Sequence, residues 1–525
     1  MTQLKLTYPS LQAGQEFMLD TAPSAISAWL ARLAFSDIDK ALEEIHKVAK
    51  TLNRCQQKTA HREANFVTLS KGYLQISKHL REHNDRRTIK VSHAQLKALH
   101  SLSTEMAFGF KRIVDELVSK TFTLKKNDRL AKAINRSQHY LGIMLIEHYQ
   151  MHTPVPAYLW HELHMLYEYA TESKLHRTKT NSSDDALEPL STIEETYIRS
   201  CLMAIIDPYH LGDNLHWHLF KYFYHWGDKA ILDKNLQHFS DSRCFIINLN
   251  EGKKPLFIQK ETEYEDSGHL RLLLTHQLLE VVERHMLKLE ESQELPKPGF
   301  YRAIDTKLAL KLLHRIFTYC DQHLKRESTR YPTMGHVSTV WGPAAIQKTL
   351  SSKDKLTINE HLGYQIKELL GDNYKIGINW QTVNYSEGGM CIRHNKEQVV
   401  QLAVGSIVLI RIDSNPEEPN RWQLAISRWQ NIDHTRGTTI GVEYLRGEPE
   451  LNYYLTKTKD DEIVKHPVIT LKQSGDFPSV MIASRSLIGG QKLLQIEIAG
   501  KHYPSYVTHI HESSSQLAIY GIRRN

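Results

Sequence analysis

The hydrophobic residues of this 525-residue chain change period once, near residue 325, and that change constrains the fold more than any other feature. Before it, apolar side chains recur every three or four positions, the spacing of a helix with one buried face. Met106, Phe110, Ile113 and Leu117 form one such stripe, and Leu159, Leu163, Leu166 and Ala170 a second. Leu278, Val282, Met286 and Leu289 make a third, and Leu313, Ile316, Phe317, Cys320 and Leu324 a fourth. From Tyr331 onward the period drops to two. Ile376, Ile378 and Trp380 alternate with polar residues, and strand-like runs follow at 407–412, 421–429 and 438–445. Several short strands separated by turns suit a closed or nearly closed antiparallel barrel. The expected fold class is multidomain α + β: a mostly α-helical N-terminal region, an antiparallel β-barrel, and a β-rich C-terminal extension.

Punctuation residues divide the chain further. A helical region is expected over 1–171, then a polar linker over 172–190 centred on Asn181-Ser182-Ser183-Asp184-Asp185. The linker ends in Ser191-Thr192-Ile193-Glu194, a capping-box pattern that starts the next helix. A second helical region over 191–323 carries a small β excursion near 244–259, hairpin-like around Asn250-Glu251-Gly252. Pro154-Val155-Pro156 and Asp207-Pro208 are expected breaks between helices. The barrel is expected over 324–454 with a helical insert near 343–372, where Ile358, Leu362, Ile366 and Leu369 share a face. Residues 455–525 either form a second small β module or extend the first.

Composition excludes several classes. Apolar content of 41% and charged content of 24% are those of an ordinary globular protein. No uninterrupted apolar stretch is long enough to cross a bilayer, so an integral membrane protein is not expected. Met1–Glu16 lacks the basic start and apolar core of a secretory signal. Cys55, Cys201, Cys244, Cys320 and Cys391 are scattered with no CxxC pair, which fits reduced thiols in a cytoplasmic protein. The net charge of +7 is spread over a long chain, and basic residues interleave with aromatics nowhere densely enough for a nucleic-acid platform. His161-Glu162-Leu163-His164 lacks the i, i+4 spacing of an HExxH zinc site, and His216-Trp217-His218 lies amid aromatics. Core packing explains both better than metal, and the aromatic run Phe220–Trp226 reads as the buried side of a helix pair. There is no P-loop, no dinucleotide fingerprint, and no nucleophile setting.

Two segments carry recognition chemistry. Arg326 and Arg330 stand four residues apart, just before Tyr331-Pro332. Far downstream, Asn384-Tyr385-Ser386-Glu387-Gly388-Gly389 forms a polar turn between two strand-like runs. Its amide, hydroxyl and backbone N–H groups can face a ligand, and its glycine pair is expected to permit a positive φ and a close approach of the main chain. A Trp-containing strand and Gly441-Val442-Glu443-Tyr444 follow.

Together, RxxxR and NxSxxG resemble the two-part signature of PilZ domains, the small β-barrels that bind cyclic di-GMP in bacteria. The resemblance covers roughly 324–450 and says nothing of the helical region. It implies that Arg326, Arg330, Asn384, Ser386 and Gly389 bind cyclic di-GMP, with no further cofactor and no metal. Arginine suits such a ligand, because its planar fork pairs with guanine O6/N7 or with phosphate and stacks on a base. That chemistry is recognition, so an enzyme is not expected. The implied function is a cyclic di-GMP receptor whose helical region is the output domain, contacting an unknown protein partner and regulating motility, pili or biofilm formation. The alternative is a degenerate barrel acting as a protein–protein adaptor without nucleotide binding. One departure bears on the choice: residues 331–383, between the arginines and the turn, are more numerous than the family usually has. An insert that displaced the first strand would keep the arginines from the turn.

Overall fold

The computed structural model describes residues 4–12, 19–85, 91–119, 126–180, 192–212, 215–236, 243–258, 268–301, 304–321, 329–351, 375–394, 402–412, 422–433, 437–457, 461–472, 478–488, 492–513 and 517–524. The chain divides into two compact units, one of residues 1–208 and 214–325 and one of 209–213 and 326–525.

The first unit is helical where the 3.6-residue period predicts it. Helices α1 (Pro23–Arg32), α2 (Ile38–Arg54), α3 (Thr59–Asp85), α4 (His93–Val118) and α5 (Lys126–Gln150) come first. Helices α6 (Ala157–Glu172), α7 (Ile193–Ile205) and α8 (Leu215–Trp226) follow. The stripes of α4 and α6 are buried along their whole length, from Met106 to Leu117 and from Leu159 to Ala170. Pro156 is the N-cap of α6, and α7 stops before Asp207-Pro208, as those breaks predict. The capping box of α7 is one residue later than the expected pattern. Thr192 accepts from Glu195 N while the Glu195 side chain reaches back to the Thr192 N–H, so the helix starts at Ile193. Phe220, Tyr222 and Phe223 of α8 are buried. A four-stranded antiparallel sheet, ordered β1 (Ile231–Asp233), β4 (Leu270–Leu274), β2 (Cys244–Asn248), β3 (Leu256–Phe257), contains the expected hairpin. Helices α9 (His276–Ser292) and α10 (Thr306–Asp321) complete the unit. All five cysteines are buried free thiols.

The second unit is two barrels in series. The first takes β5 (Tyr331–Pro332), β6 (His336–Trp341), β7 (Lys375–Ser386), β8 (Gly389–His394), β9 (Ile407–Ile412), β10 (Gln423–Asp433) and β11 (Gly437–Tyr444). Their order is β5-β7-β6-β9-β10-β11-β8, and the β7–β8 pairing closes the sheet. The second is a closed barrel ordered β12 (Glu448–Lys457), β13 (Ile463–Lys472), β14 (Val480–Ser484), β17 (Leu517–Arg524), β16 (Lys501–Ser513), β15 (Leu493–Ile498). The described strands beyond residue 455 thus close with β12 into this second barrel. The strand that opens it, β12, already begins at Glu448 and among the described residues pairs with β13 and β15.

Alternation along the strands separates two cores. Val337, Trp380, Met390, Ile392, Val408, Ile410, Ala425, Ile440 and Val442 fill the interior of the first barrel. Val340, Ile407, Leu409, Leu424 and Ile426 point outward and pack with Ile469, Leu471, Val480, Ile482 and Ile519 of the second. Helix α11 (Pro343–Ser351) adds Ala345 and Ile346 to that shared core. The stretch holding Ile358, Leu362, Ile366 and Leu369 lies outside the described residues. One flank of the first barrel, over β6, β9 and β10, is therefore covered by apolar packing. The other, over β5, β7, β8 and β11, carries the polar motif.

Candidate functional site

The NxSxxG segment is the β7–β8 hairpin. Ser386 pairs with Gly389 across a two-residue loop of Glu387 and Gly388, and Asn384 lies opposite Cys391 after a bulge at Val383. The expectation of a positive φ at these glycines is corrected, because neither adopts one. Gly388 has open space around its Cα. Gly389 is a glycine because β11 runs close beside it: a Cβ there would stand 2.1 Å from the Val442 carbonyl oxygen. The Ser386 hydroxyl donates to the Gly389 carbonyl at 3.3 Å and ties the turn together. Asn384 Oδ1 is buried and accepts no hydrogen bond among the described residues, an acceptor that ordinarily finds a partner.

The long segment between the motifs does not keep them apart. Strand β5 pairs with the end of β7, Tyr331 opposite Tyr385 and Pro332 opposite Asn384. One more step in this antiparallel register puts Arg330 across from Ser386, and cross-strand partners share a face. Thr382 N donates to the Gly335 carbonyl at 2.9 Å, so the contact between the strands continues past β5. Arg330 is exposed, and Arg326 lies outside the described residues. Strands β6 and β7 flank the extra chain, and β5 stays paired with β7.

Two family models match parts of this chain. Residues 368–448 match the family model described as "Cyclic-di-GMP receptor FimW, middle PilZ domain". This region of the chain is therefore similar to a PilZ domain. Residues 24–236 match the model of the N-terminal domain of the same receptor. The Cyclic-di-GMP receptor FimW of Pseudomonas aeruginosa is 24% identical over 204 residues, 38% of this chain and 33% of that protein. The matched part thus spans about a third of the length of this relative. The PilZ match holds Asn384, Ser386 and Gly389, begins after Arg330, and ends at 448, where β12 starts.

The first barrel brings a further cation to the site that no motif contains. Arg393 stands on β8 two residues beyond Cys391, opposite Gln381, so it shares the outward face of Gly389 and Cys391. Its Nε donates to Thr439 Oγ1 at 3.4 Å. Burial pushes the Cys391 thiol up, and the guanidiniums of Arg330 and Arg393 work against that shift, so both fields reach the centre of the hairpin. Strand alternation from Gly389 was the available signal. Glu443, opposite Gly389 on β11, is held by Arg428 at 2.6 Å, which offsets a carboxylate that would otherwise repel an anion. Trp429 lies over Gly441, where a Cβ would meet its Nε1 at 2.0 Å. The exposed rings of Tyr331 and Tyr385, 5.7 Å apart, alternate to the other face of the strands.

The histidines considered for metal are used within the helical unit. His164 bonds Tyr197 OH through Nδ1 at 2.6 Å and the Lys253 carbonyl through Nε2 at 2.8 Å. His216 Nε2 bonds the Pro208 carbonyl at 2.9 Å. Glu162 is engaged by Lys111 at 2.7 Å. Among the described residues, no helix is long and apolar enough to cross a membrane.

Proposed function

We propose that this protein is a cyclic di-GMP receptor and that Arg326, Arg330, Asn384, Ser386 and Gly389 hold the nucleotide, with Arg393 as an additional cationic contact. The observation that carries this reading is the β5–β7 register, which sets Arg330 beside the NxSxxG hairpin. The residues suit the ligand. The orphaned Asn384 Oδ1 is an acceptor for a guanine N–H, and the guanidiniums pair with phosphate oxygens or with the O6/N7 edge. The close approach of β8 and β11 at Gly389 removes the side chain that would stand over the hairpin.

Arg326 and Arg330 lie where the chain passes from the helical unit to the barrel unit. A ligand gripping that junction would favour one arrangement of the helical output domain, to the extent that it binds that arrangement more tightly. The helical domain would then engage a protein partner and regulate a bacterial surface process such as motility, pili or biofilm formation. Nothing in this scheme needs a nucleophile or a general base.

The test is a set of alanine variants at Arg330, Asn384 and Arg393, titrated with cyclic di-GMP, with circular dichroism as the fold control. Removing one charge-assisted hydrogen bond should weaken binding by about tenfold or more. Unchanged affinity in Arg330→Ala would remove the site from this hairpin.

A further inference from the structure

The N-terminal segment is held on the helical unit by an unusual set of contacts. Thr7 donates to Glu162 Oε1 twice, from its backbone N at 2.6 Å and from its hydroxyl at 2.7 Å. Lys111 Nζ donates to Glu162 Oε2 at 2.7 Å and to Thr7 Oγ1 at 3.2 Å. Tyr8 OH donates to Asp115 Oδ2 at 2.6 Å, its ring lies under the Arg112 guanidinium at 4.4 Å, and Arg112 also donates to the Pro9 carbonyl. Four charged side chains of α4 and α6 thus read a hydroxyl, an aromatic hydroxyl and a proline carbonyl in succession.

We infer that the α4–α6 groove is a docking surface for an extended Thr/Ser-Tyr-Pro segment of a partner protein, and that Leu4–Pro9 is its resident, displaceable occupant. The groove is built in a way that stability alone does not explain. The Lys111 and Glu162 side chains are only 1% and 3% exposed, and a buried ion pair of this kind adds little over apolar packing. Yet no residue from 4 to 12 is itself buried, and the segment has no regular secondary structure. Its hold is polar, directional and shallow, the manner in which grooves bind extended peptides and release them. Removing it would strip both Thr7 donors from a buried carboxylate, so another segment with the same donors would be favoured in its place. Burial pushes the Lys111 ammonium down and Tyr8 up to about 12, in keeping with contacts shielded from water.

A fluorescent synthetic peptide of residues 3–12 provides the test, read by anisotropy against the full-length protein and its Thr7→Ala/Tyr8→Ala variant. The variant, whose own segment competes poorly, should bind the peptide about tenfold more tightly than the unaltered protein. A peptide with phenylalanine in place of its tyrosine should bind the variant about tenfold more weakly. A second arm needs no variant: excess peptide should raise hydrogen exchange in residues 4–12 of the unaltered protein while α4 stays protected. The proposal is overturned if the folded variant binds no better than the unaltered protein, or if the two peptides bind alike. Dimers formed through exchange of this segment would assign the groove to a second copy and also overturn it.

Discussion

Replacing Gly389 by alanine puts one methyl group where β8 and β11 are nearly in contact. The new Cβ would stand 2.1 Å from the Val442 carbonyl oxygen and 3.1 Å from Glu443 Cα. Both atoms are backbone, so neither can swing aside as a side-chain tip would. The strands must part by more than an ångström at the Glu443–Gly389 pair, the last of their register. Overpacking of this kind costs about 1–3 kcal/mol. For a unit of this size each kcal/mol lowers the melting temperature by about 2–4 °C, so the barrel unit should melt about 2–12 °C lower. Cyclic di-GMP affinity should fall with it, because the hairpin carrying Asn384 and Ser386 moves. Gly388→Ala is the internal control. A Cβ there would meet nothing within 4 Å and its φ is not left-handed, so its effect should stay within about 1 kcal/mol. Calorimetric scans of both variants decide the matter. If Gly389→Ala melts with the unaltered protein, or Gly388→Ala is equally damaging, then the strand approach is not what requires glycine.

Further outcomes follow from the same structure. Ile346→Ala in α11 empties a side chain only 2% exposed in the core shared by the two barrels and should cost about 2–5 kcal/mol; a scan showing an unchanged barrel transition would refute that packing. Arg330→Ala should leave the melt unaltered, since the side chain is exposed, while nucleotide affinity falls. Burial holds His148 at about 3, with help from the charge of His100, and His216 at about 3 and His164 at about 4. These three are neutral when folded and gain protons on unfolding. Their contribution is complete above the ordinary histidine value and is lost as pH falls from about 6.5 toward 4, at up to about 4 kcal/mol per pH unit. Proton uptake on unfolding, measured by calorimetry in buffers of different ionisation enthalpy, should be larger at pH 5 than at pH 8; equal uptake would contradict the burial of neutral imidazoles.

Much of this was legible in local pattern. A stripe such as Leu159, Leu163, Leu166 and Ala170 states its own helix, because spacing alone puts those side chains on one buried face. The NxSxxG turn was legible for the same reason, its strands being contiguous with it. What local pattern hides is pairing at a distance. Nothing in residues 331–383 announces that Tyr331 will lie opposite Tyr385, since loop length limits pairing only weakly through chain entropy. The reason for Gly389 was equally hidden, because the strand that excludes a Cβ comes some fifty residues later, at Val442. Arg393 was missed because no motif contains it, though alternation along β8 puts it on the face of Gly389. The start of β12 at Glu448 followed from partners β13 and β15, both downstream.

Calorimetric titration of the full-length protein with cyclic di-GMP, with GTP and cyclic di-AMP as controls, tests the central claim most directly. The expected result is saturable binding of cyclic di-GMP, no comparable binding of the other two, and loss of most of that signal in Arg330→Ala. No saturable binding to the folded protein at ligand concentrations well above those in cells would contradict the claim, and the barrel would then be a scaffold for protein contacts.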